Sequence, residues 1–184
     1  MPLTVTFQLS DRDLEHFTER MNEARANAAS LGEQAIVSSA KDMLTEVQGR
    51  EIPDFVRERI GKLATLVRMV EDKSWSISGE DRGRIVNAIA YVADPQDLIP
   101  DHIPGIGLLD DAIMIEVVCQ DLRPDMEAYA DFCIYRDKEV VRRGPSGNDL
   151  TQETWLTARR TQLHERMRRR RAALWSSRLG RSSL

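Results

Sequence analysis

Apolar side chains recur every three or four residues along most of the chain, which is the spacing of one buried face of an α-helix. Helix caps and breakers divide this pattern into segments, because Ser, Asp and Pro favour helix starts and Gly favours helix ends. The predicted helices run from Ser10 to about Gly32, from about Ile36 to Gly49, from Pro53 to Val70, from Ser78 to before Pro95, from about Leu108 to Val118, from Pro124 to about Val141 and from about Leu150 to Trp175. The sequence therefore predicts an all-α fold, a compact bundle of six or seven helices.

The N-terminal residues follow a different pattern. Leu3, Val5, Phe7 and Leu9 alternate with polar residues, a period of two that is typical of a short strand. A lone strand needs a partner for its backbone, and the same segment of a second copy could supply one. Residues 3–9 are therefore predicted to form either a strand that pairs in a homo-oligomer or an extended arm lying on the helices.

Two stretches rich in helix breakers interrupt the helices. Residues 95–107 hold three prolines and two glycines, a density that no regular helix tolerates, and we expect a Pro-rich elbow between two core helices. Residues 142–149, RRGPSGND, have the composition of a linker. These features divide the chain into an N-terminal strand and two helices (1–50), a helical core (51–143), and a linker with a basic C-terminal helix (144–184). The structural residues of the elbow are Pro95, Pro100, Pro104 and Gly107.

Residues 91–111 read YVADPQDLIPDHIPGIGLLDD, and this stretch resembles the signature of the YkvA-like family, domain of unknown function 1232. The resemblance covers the core from roughly residue 60 to residue 120. Asp94, Gln96 and His102 depart from the family pattern. The resemblance implies a helical hairpin around the elbow and implies no established reaction. The matching positions are Tyr91, Pro95, Asp97, Leu98, Ile99, Pro100, Asp101, Ile103, Pro104, Gly107, Leu109, Asp110 and Asp111.

The composition, 41% apolar and 30% charged, is that of a soluble globular protein. Cys119 and Cys133 are too far apart for a CxxC motif, so we expect inert thiols in a reducing compartment. Outside the first ten residues the longest uncharged run, Ile85 to Ala93, is less than half of what a membrane span requires. A cytoplasmic location is predicted, with peripheral attachment to a membrane as a second hypothesis.

Charge is distributed unevenly along the chain. The net charge is −4, but residues 151–184 carry +7 and the preceding 150 residues carry −11. A basic helix of this kind can bind anionic lipid or nucleic acid, or it can fold back onto the acidic body of its own chain. The residues predicted to contact an anionic partner are Arg159, Arg160, Arg166, Arg168, Arg169, Arg170 and Arg171.

Acidic residues are concentrated around the elbow. Asp94 and a possible ligand set of four further aspartates and one histidine fall within eighteen residues, and carboxylates in this number suit a hard divalent cation. Alternatively, these carboxylates accept backbone N–H groups at turns and helix starts, which is the interpretation that we favour. The other two histidines, His16 and His164, are predicted to face solvent. The candidate metal ligands are Asp97, Asp101, His102, Asp110 and Asp111.

The sequence contains no recognisable set of catalytic residues. We therefore predict a non-enzymatic interaction module that engages an anionic partner, lipid or nucleic acid, through its Arg-rich C-terminus. The alternative is a metal-dependent enzyme, of the hydrolase class, that uses the Asp-rich elbow. No small-molecule cofactor is expected, and a divalent cation is the one cofactor that the sequence suggests.

Overall fold

The computed structural model describes residues 32–92, 108–143 and 149–179, together with the single residues 10, 12, 15 and 19. Regular structure in these ranges is entirely helical, which confirms the predicted all-α fold. The predicted strand at 3–9, most of the first predicted helix, the elbow and the centre of the linker lie outside the described residues. The described helices are α1 (Glu33–Val47), α2 (Asp54–Glu71), α3 (Gly79–Val92), α4 (Leu109–Asp121), α5 (Arg123–Arg143) and α6 (Asp149–Leu179).

Several helix ends lie where the caps and breakers predict them. Helix α1 ends at Val47, and Gly49 two residues later has φ +84°, a left-handed conformation that glycine adopts without a Cβ penalty. Pro53 immediately precedes α2. Leu108 precedes α4 with φ +68°, which is unfavourable for a branched side chain, and its burial in the core holds it there.

The apolar stripes predicted from the sequence form the core. All five inward positions predicted for α2 are buried, and so are the three predicted for α3. These side chains belong to one continuous cluster that also includes residues of α1, α4, α5 and α6. The predicted stripe residues are Val56, Ile60, Leu63, Val67 and Val70 on α2, and Ile85, Ile89 and Val92 on α3.

Helix α6 is part of this core and lies antiparallel to α5. Arg166 pairs with Asp131, and Arg170 pairs with Glu127, so residues further along α6 meet residues nearer the start of α5. Helix α1 packs mainly on α3, and α2 packs mainly on α4.

The link between α2 and α3 is packed against both C-terminal helices. Trp75, in the middle of this link, is fully buried, and its ring contacts the rings of Tyr129 and Phe132 on α5 and His164 on α6. The backbone carbonyl of Ser74 accepts a 3.0 Å hydrogen bond from Arg160 Nη1. The link therefore joins the N-terminal helices to the α5–α6 pair.

Candidate functional site

The basic C-terminal helix is attached to the body through one apolar stripe. Leu156, Leu163 and Met167 are buried, and their spacing places them on the same face of α6, towards α5. The arginines of α6 lie on both sides of this stripe, close to the acidic residues of α3 and α5.

Two ion pairs connect α6 with α5 along the surface. Arg166 donates to Asp131, and Arg170 Nη1 lies 2.5 Å from Glu127 Oε2. Arg170 keeps 54% of its side chain exposed. Exposed pairs of this kind contribute about 0–1 kcal/mol each, so they fix the register of α6 more than they stabilise the fold.

A second group of charges is mostly buried: Asp125, Asp81 and Arg171 keep 0%, 7% and 13% of their side chains exposed, and only Arg168 is exposed, at 56%. Arg171 Nη2 lies 2.5 Å from Asp81 Oδ1, and Arg171 Nη1 lies 3.1 Å from Asp125 Oδ1. Arg168 Nε donates to the other oxygen of Asp81 at 2.8 Å. We call these four residues the buried ion-pair cluster. Asp81 lies in the first turn of α3 and Asp125 in the first turn of α5, where the partial positive charge of the helix N-terminus favours a carboxylate. One arginine thus connects three helices.

The two carboxyl groups of the cluster differ in their acidity. Burial would raise the pKa of Asp81, but the hydrogen bonds from Arg171 and Arg168 outweigh it and hold the pKa below its ordinary value. Burial raises the pKa of Asp125 to about 6, against the opposing attraction of Arg171 and Arg84. Asp125 Oδ2 is buried and has no hydrogen-bond partner within the described part of the chain. Asp81 is therefore ionised at neutral pH, whereas Asp125 exchanges its proton at a pH just below neutral.

The remaining candidate arginines of α6 have different surroundings. The guanidinium of Arg159 lies 5.4 Å from the centre of the Tyr135 ring, and its Nη1 donates to Gln162 at 2.7 Å. Arg160 binds the Ser74 carbonyl, as described above. Arg169 is exposed and forms no ion pair with any residue in the described ranges. Six of the seven candidate arginines thus bind groups of their own chain, the arrangement in which the basic helix lies on the acidic body.

The histidine of α6 is half-buried against Trp75 rather than facing solvent, so the prediction for His164 was wrong. Its ring centre lies 4.3 Å from that of Trp75, with the two planes at 86°. Burial, together with the nearby Arg168, lowers the pKa of His164, although Asp81 acts in the opposite direction. His164 is consequently neutral at neutral pH. His16 lies outside the described residues.

Most of the acidic elbow lies outside the described residues, including Asp94, Asp97, Asp101 and His102 and the structural positions Pro95, Pro100, Pro104 and Gly107. Asp110 and Asp111 lie in the first turn of α4, and Asp110 is buried. Within residues 32–92, 108–143 and 149–179, no three His, Cys, Asp or Glu side chains are arranged to hold a metal ion. The proposed metal set remains a prediction.

A polar cluster that the sequence did not reveal lies beside Trp75. Asp72 Oδ2 accepts hydrogen bonds from Tyr129 Oη at 3.0 Å and from Arg136 Nη1 at 2.6 Å, and Ser74 Oγ lies 2.7 Å from the same Arg136 nitrogen. Despite its partial burial, the pKa of Asp72 is lowered by hydrogen bonds from Ser74 and Arg136. Asp72 also borders an open cleft of about 700 Å³ between α1 and the α2–α3 link. Every acceptor of Asp72 is satisfied by its own chain, which is typical of a structural role.

The two cysteines, Cys119 and Cys133, are free thiols. Burial raises the pKa of Cys119 to about 12, so its thiol is unreactive at neutral pH, in agreement with the prediction. Cys133 is only half-buried, and its sulfur lies 3.7 Å from Arg136 Nη2.

The C-terminal end of α6 carries the most exposed tryptophan of the described residues. Trp175 is 57% exposed, and the neighbouring Leu174 is also exposed. One to two turns earlier, Arg169 is exposed and Arg168 keeps 56% of its side chain exposed despite its ion pair. This end of α6 combines an aromatic ring, an aliphatic side chain and accessible guanidinium groups; it is the candidate interaction surface, and we call it the α6 tip (Arg168, Arg169, Arg170, Leu174 and Trp175).

In the described part of the chain, none of the helices combines the length and the apolar character that crossing a bilayer requires.

No curated protein and no solved structure matches the chain at a significant level. Residues 81–116 match the family model described as a protein of unknown function (DUF1232). The matched segment begins at Asp81 of the buried ion-pair cluster and extends through α3 and the elbow into α4. At its centre the chain therefore carries a segment that is similar to the YkvA-like family of proteins of unknown function, DUF1232.

Proposed function

We propose that this protein is a non-enzymatic helical module that attaches peripherally to an anionic lipid surface through the α6 tip. The observation that carries the proposal is the exposed Trp175 ring on the same helix end as the accessible Arg168, Arg169 and Arg170. Tryptophan prefers the interface between lipid headgroups and acyl chains, and arginine beside it pairs with phosphate and carboxylate headgroups. Each basic residue near an anionic membrane contributes about 1 kcal/mol.

The ion pairs of α6 determine which of its basic side chains remain accessible to a partner. Arg166 and Arg171 bind carboxylates of the body and are the less accessible of the basic residues, whereas Arg168 and Arg170 keep more than half of their side chains in solvent. The positive charge available to a partner is thus much smaller than the +7 of the tail suggests. A small number of guanidinium groups gives weak electrostatic attraction, and the apolar contact of Trp175 supplements it.

An anionic lipid surface suits these side chains better than nucleic acid does. Duplex DNA is bound without sequence preference mainly through many phosphate contacts, which require many free cations. Here the body carboxylates pair with four of the seven candidate arginines, and the accessible end is apolar as well as basic. The same reasoning supports a cytoplasmic location with peripheral attachment to a membrane.

Vesicle co-sedimentation tests the proposal. The full chain is expected to sediment with phosphatidylcholine vesicles that contain phosphatidylserine and to be released as the salt concentration is raised. It is expected to stay in the supernatant with vesicles of pure phosphatidylcholine. Trp175→Ser and Arg169→Gln should both lower retention. Phe55→Ser and Arg57→Gln are matched controls, because both residues are exposed on α2, and neither should change it. Point variants are preferred to removal of the tail, since α6 contributes Leu163 and Met167 to the core.

Two results would overturn this proposal. Equal retention of the wild type and Trp175→Ser, or retention that does not depend on the phosphatidylserine content of the vesicles, would exclude the α6 tip as a lipid contact. Salt-dependent binding to duplex DNA, with no binding to vesicles, would instead favour a nucleic-acid partner.

A metal-dependent hydrolase at the elbow is the second candidate, and one observation favours it. Asp110, which lies within the matched signature, is buried, whereas a carboxylate that only favours a helix start is usually exposed. The position of Asp110 and Asp111 in the first turn of α4 supports the structural interpretation instead, because negative charge is stabilised there.

A further inference from the structure

One face of α5 points away from the core and carries an unusual pattern. Ile134, in the second half of α5, is 53% exposed, and Val141, in its last turn, is 84% exposed, which is rare for branched aliphatic side chains. Between them lie Asp137, with 74% of its side chain exposed, and the exposed Lys138. The spacing i, i+3, i+4, i+7 places all four on one side of the helix, and we call them the α5 stripe.

The α5 stripe is distinct from the faces of α5 that already have partners. Phe132 and Tyr129 point into the core, and Arg136 is bound to Asp72. Asp137 has one weak contact, 3.7 Å from Arg136 Nε, and this does not remove it from solvent. No contact with another part of the described chain covers Ile134 or Val141.

The order of residues in the stripe is apolar, acidic, basic, apolar, and this order is complementary to its own reverse. When two copies of the helix lie antiparallel around a two-fold axis between Asp137 and Lys138, each Ile134 meets the Val141 of the other copy. Each Asp137 then meets a Lys138, twice by symmetry, as an isologous interface requires. A parallel pair would instead place like charges opposite each other.

From this pattern we infer that the α5 stripe is a self-association surface whose partner is a second copy of this chain. The inference is independent of the lipid proposal, since the stripe and the α6 tip are different surfaces. It also differs from the pairing predicted for residues 3–9. Charge complementarity selects the second copy as the occupant, because the reversed stripe supplies both the apolar and the oppositely charged side chains. With only two aliphatic side chains from each copy, the interface is of the small, transient kind.

Sedimentation equilibrium on the full chain, over concentrations from roughly 10 µM to 1 mM as befits a weak interface, measures the association. The wild type is expected to reach a monomer–dimer equilibrium in this range. Asp137→Lys places two lysines opposite two lysines, and Lys138→Asp places two aspartates opposite two aspartates. Each should raise the dissociation constant about tenfold.

The two-fold geometry makes a sharper prediction. An equimolar mixture of Asp137→Lys and Lys138→Asp should form a heterodimer as readily as the wild type forms a homodimer, because both charge pairs are restored. The double variant Asp137→Lys/Lys138→Asp should also self-associate like the wild type. Asp42→Lys on α1 is the matched control for a change in net charge and should leave association unchanged. Circular dichroism spectra identical to that of the wild type would show that the variants are folded.

Several results would overturn the inference. A wild type that stays monomeric throughout the range would exclude the interface. If both single variants associate as strongly as the wild type, the contact lies elsewhere on the molecule. If association is then lost when residues 3–9 are deleted, that segment forms the contact. Failure of the mixture and of the double variant to recover association would exclude the antiparallel register.

Discussion

Arg171 of α6 and Asp125 of α5 form an ion pair, 3.1 Å from Nη1 to Oδ1, with the carboxyl group fully buried. The same guanidinium also binds Asp81 of α3, so a single side chain on the basic helix satisfies charges at the N-termini of two other helices. The basic helix is thus held to the body at a point where charge cannot be screened by water. Removal of the cation would leave two carboxyl groups in the interior.

Replacement of this arginine tests that dependence. Arg171→Ala is expected to lower the free energy of unfolding by about 3–5 kcal/mol, the usual cost of leaving a buried charge without its partner. Arg169→Ala, two residues away and exposed, should change it by about 0.5 kcal/mol or less. Urea denaturation of the full chain measures both. Similar stabilities for the two variants would mean that Arg171 does not hold α6 to the body.

The raised pKa of Asp125 predicts a particular pH dependence of stability. A carboxyl group that binds its proton more tightly in the folded state than in the unfolded state stabilises the fold when protonated, so this contribution is present at about pH 4 and is lost as the pH rises through about 6. The pKa of Asp125 differs by about two units between the unfolded and the folded state, which corresponds to a loss of about 3 kcal/mol in the free energy of unfolding. His164, whose pKa is lowered, acts in the opposite direction as it takes up a proton on acidification.

A comparison between variants separates these two effects. Asp125→Asn keeps the shape of the side chain and removes its titration. The free energy of unfolding of the wild type minus that of Asp125→Asn should fall as the pH is raised from 4.5 to 7, a window set by the two pKa values of Asp125. His164 is present in both proteins, so its contribution cancels, and Asp81, whose pKa is lowered, stays ionised across this window. A difference that is constant or that rises with pH would contradict the raised pKa.

The sequence predicted the helices well because their signals are local. Gly49 and Pro53 mark two helix boundaries by their own backbone preferences, and the stripe of Val56, Ile60 and Leu63 needs only the helical repeat to define its buried face. These features depend on residues within a few positions of each other.

The charged interior of the molecule could not be predicted in the same way. Asp81 and Arg171 are 90 positions apart, and no local pattern in the sequence connects them. The surroundings of His164 are set by Trp75, which comes from a link without apolar periodicity. The α5 stripe was also missed, because exposed and buried apolar residues of a helix follow the same spacing in the sequence. Contacts between segments that are distant in the sequence can be identified only once the fold is known.

Trp75 is expected to be a major source of stability for the α5–α6 pair. It is fully buried between rings of both helices, so Trp75→Ala should cost about 3–5 kcal/mol through lost contacts and a cavity. Trp75→Phe should cost less, since a ring remains. Trp175→Ala is the control, because Trp175 is exposed and its loss should leave the melting temperature nearly unchanged. Equal effects of the two alanine variants would contradict the central position of Trp75.

The acidic elbow is expected to act as structure and to bind no divalent cation tightly. If Asp110 and Asp111 stabilise the start of α4, Asp111→Asn should lower the free energy of unfolding by about 0.3–1 kcal/mol, whether or not Mg²⁺, Mn²⁺ or Ca²⁺ is present. A cation held by Asp97, Asp101, His102, Asp110 and Asp111 would instead stabilise the folded state in proportion to its concentration, because a ligand of the native state shifts the unfolding equilibrium. Elemental analysis of protein purified without an affinity tag, together with thermal melts at increasing cation concentration, distinguishes these outcomes. A stoichiometric metal, or a melting temperature that rises with one cation in the wild type but not in Asp110→Asn, would establish the metal site and favour the enzyme hypothesis over the structural one.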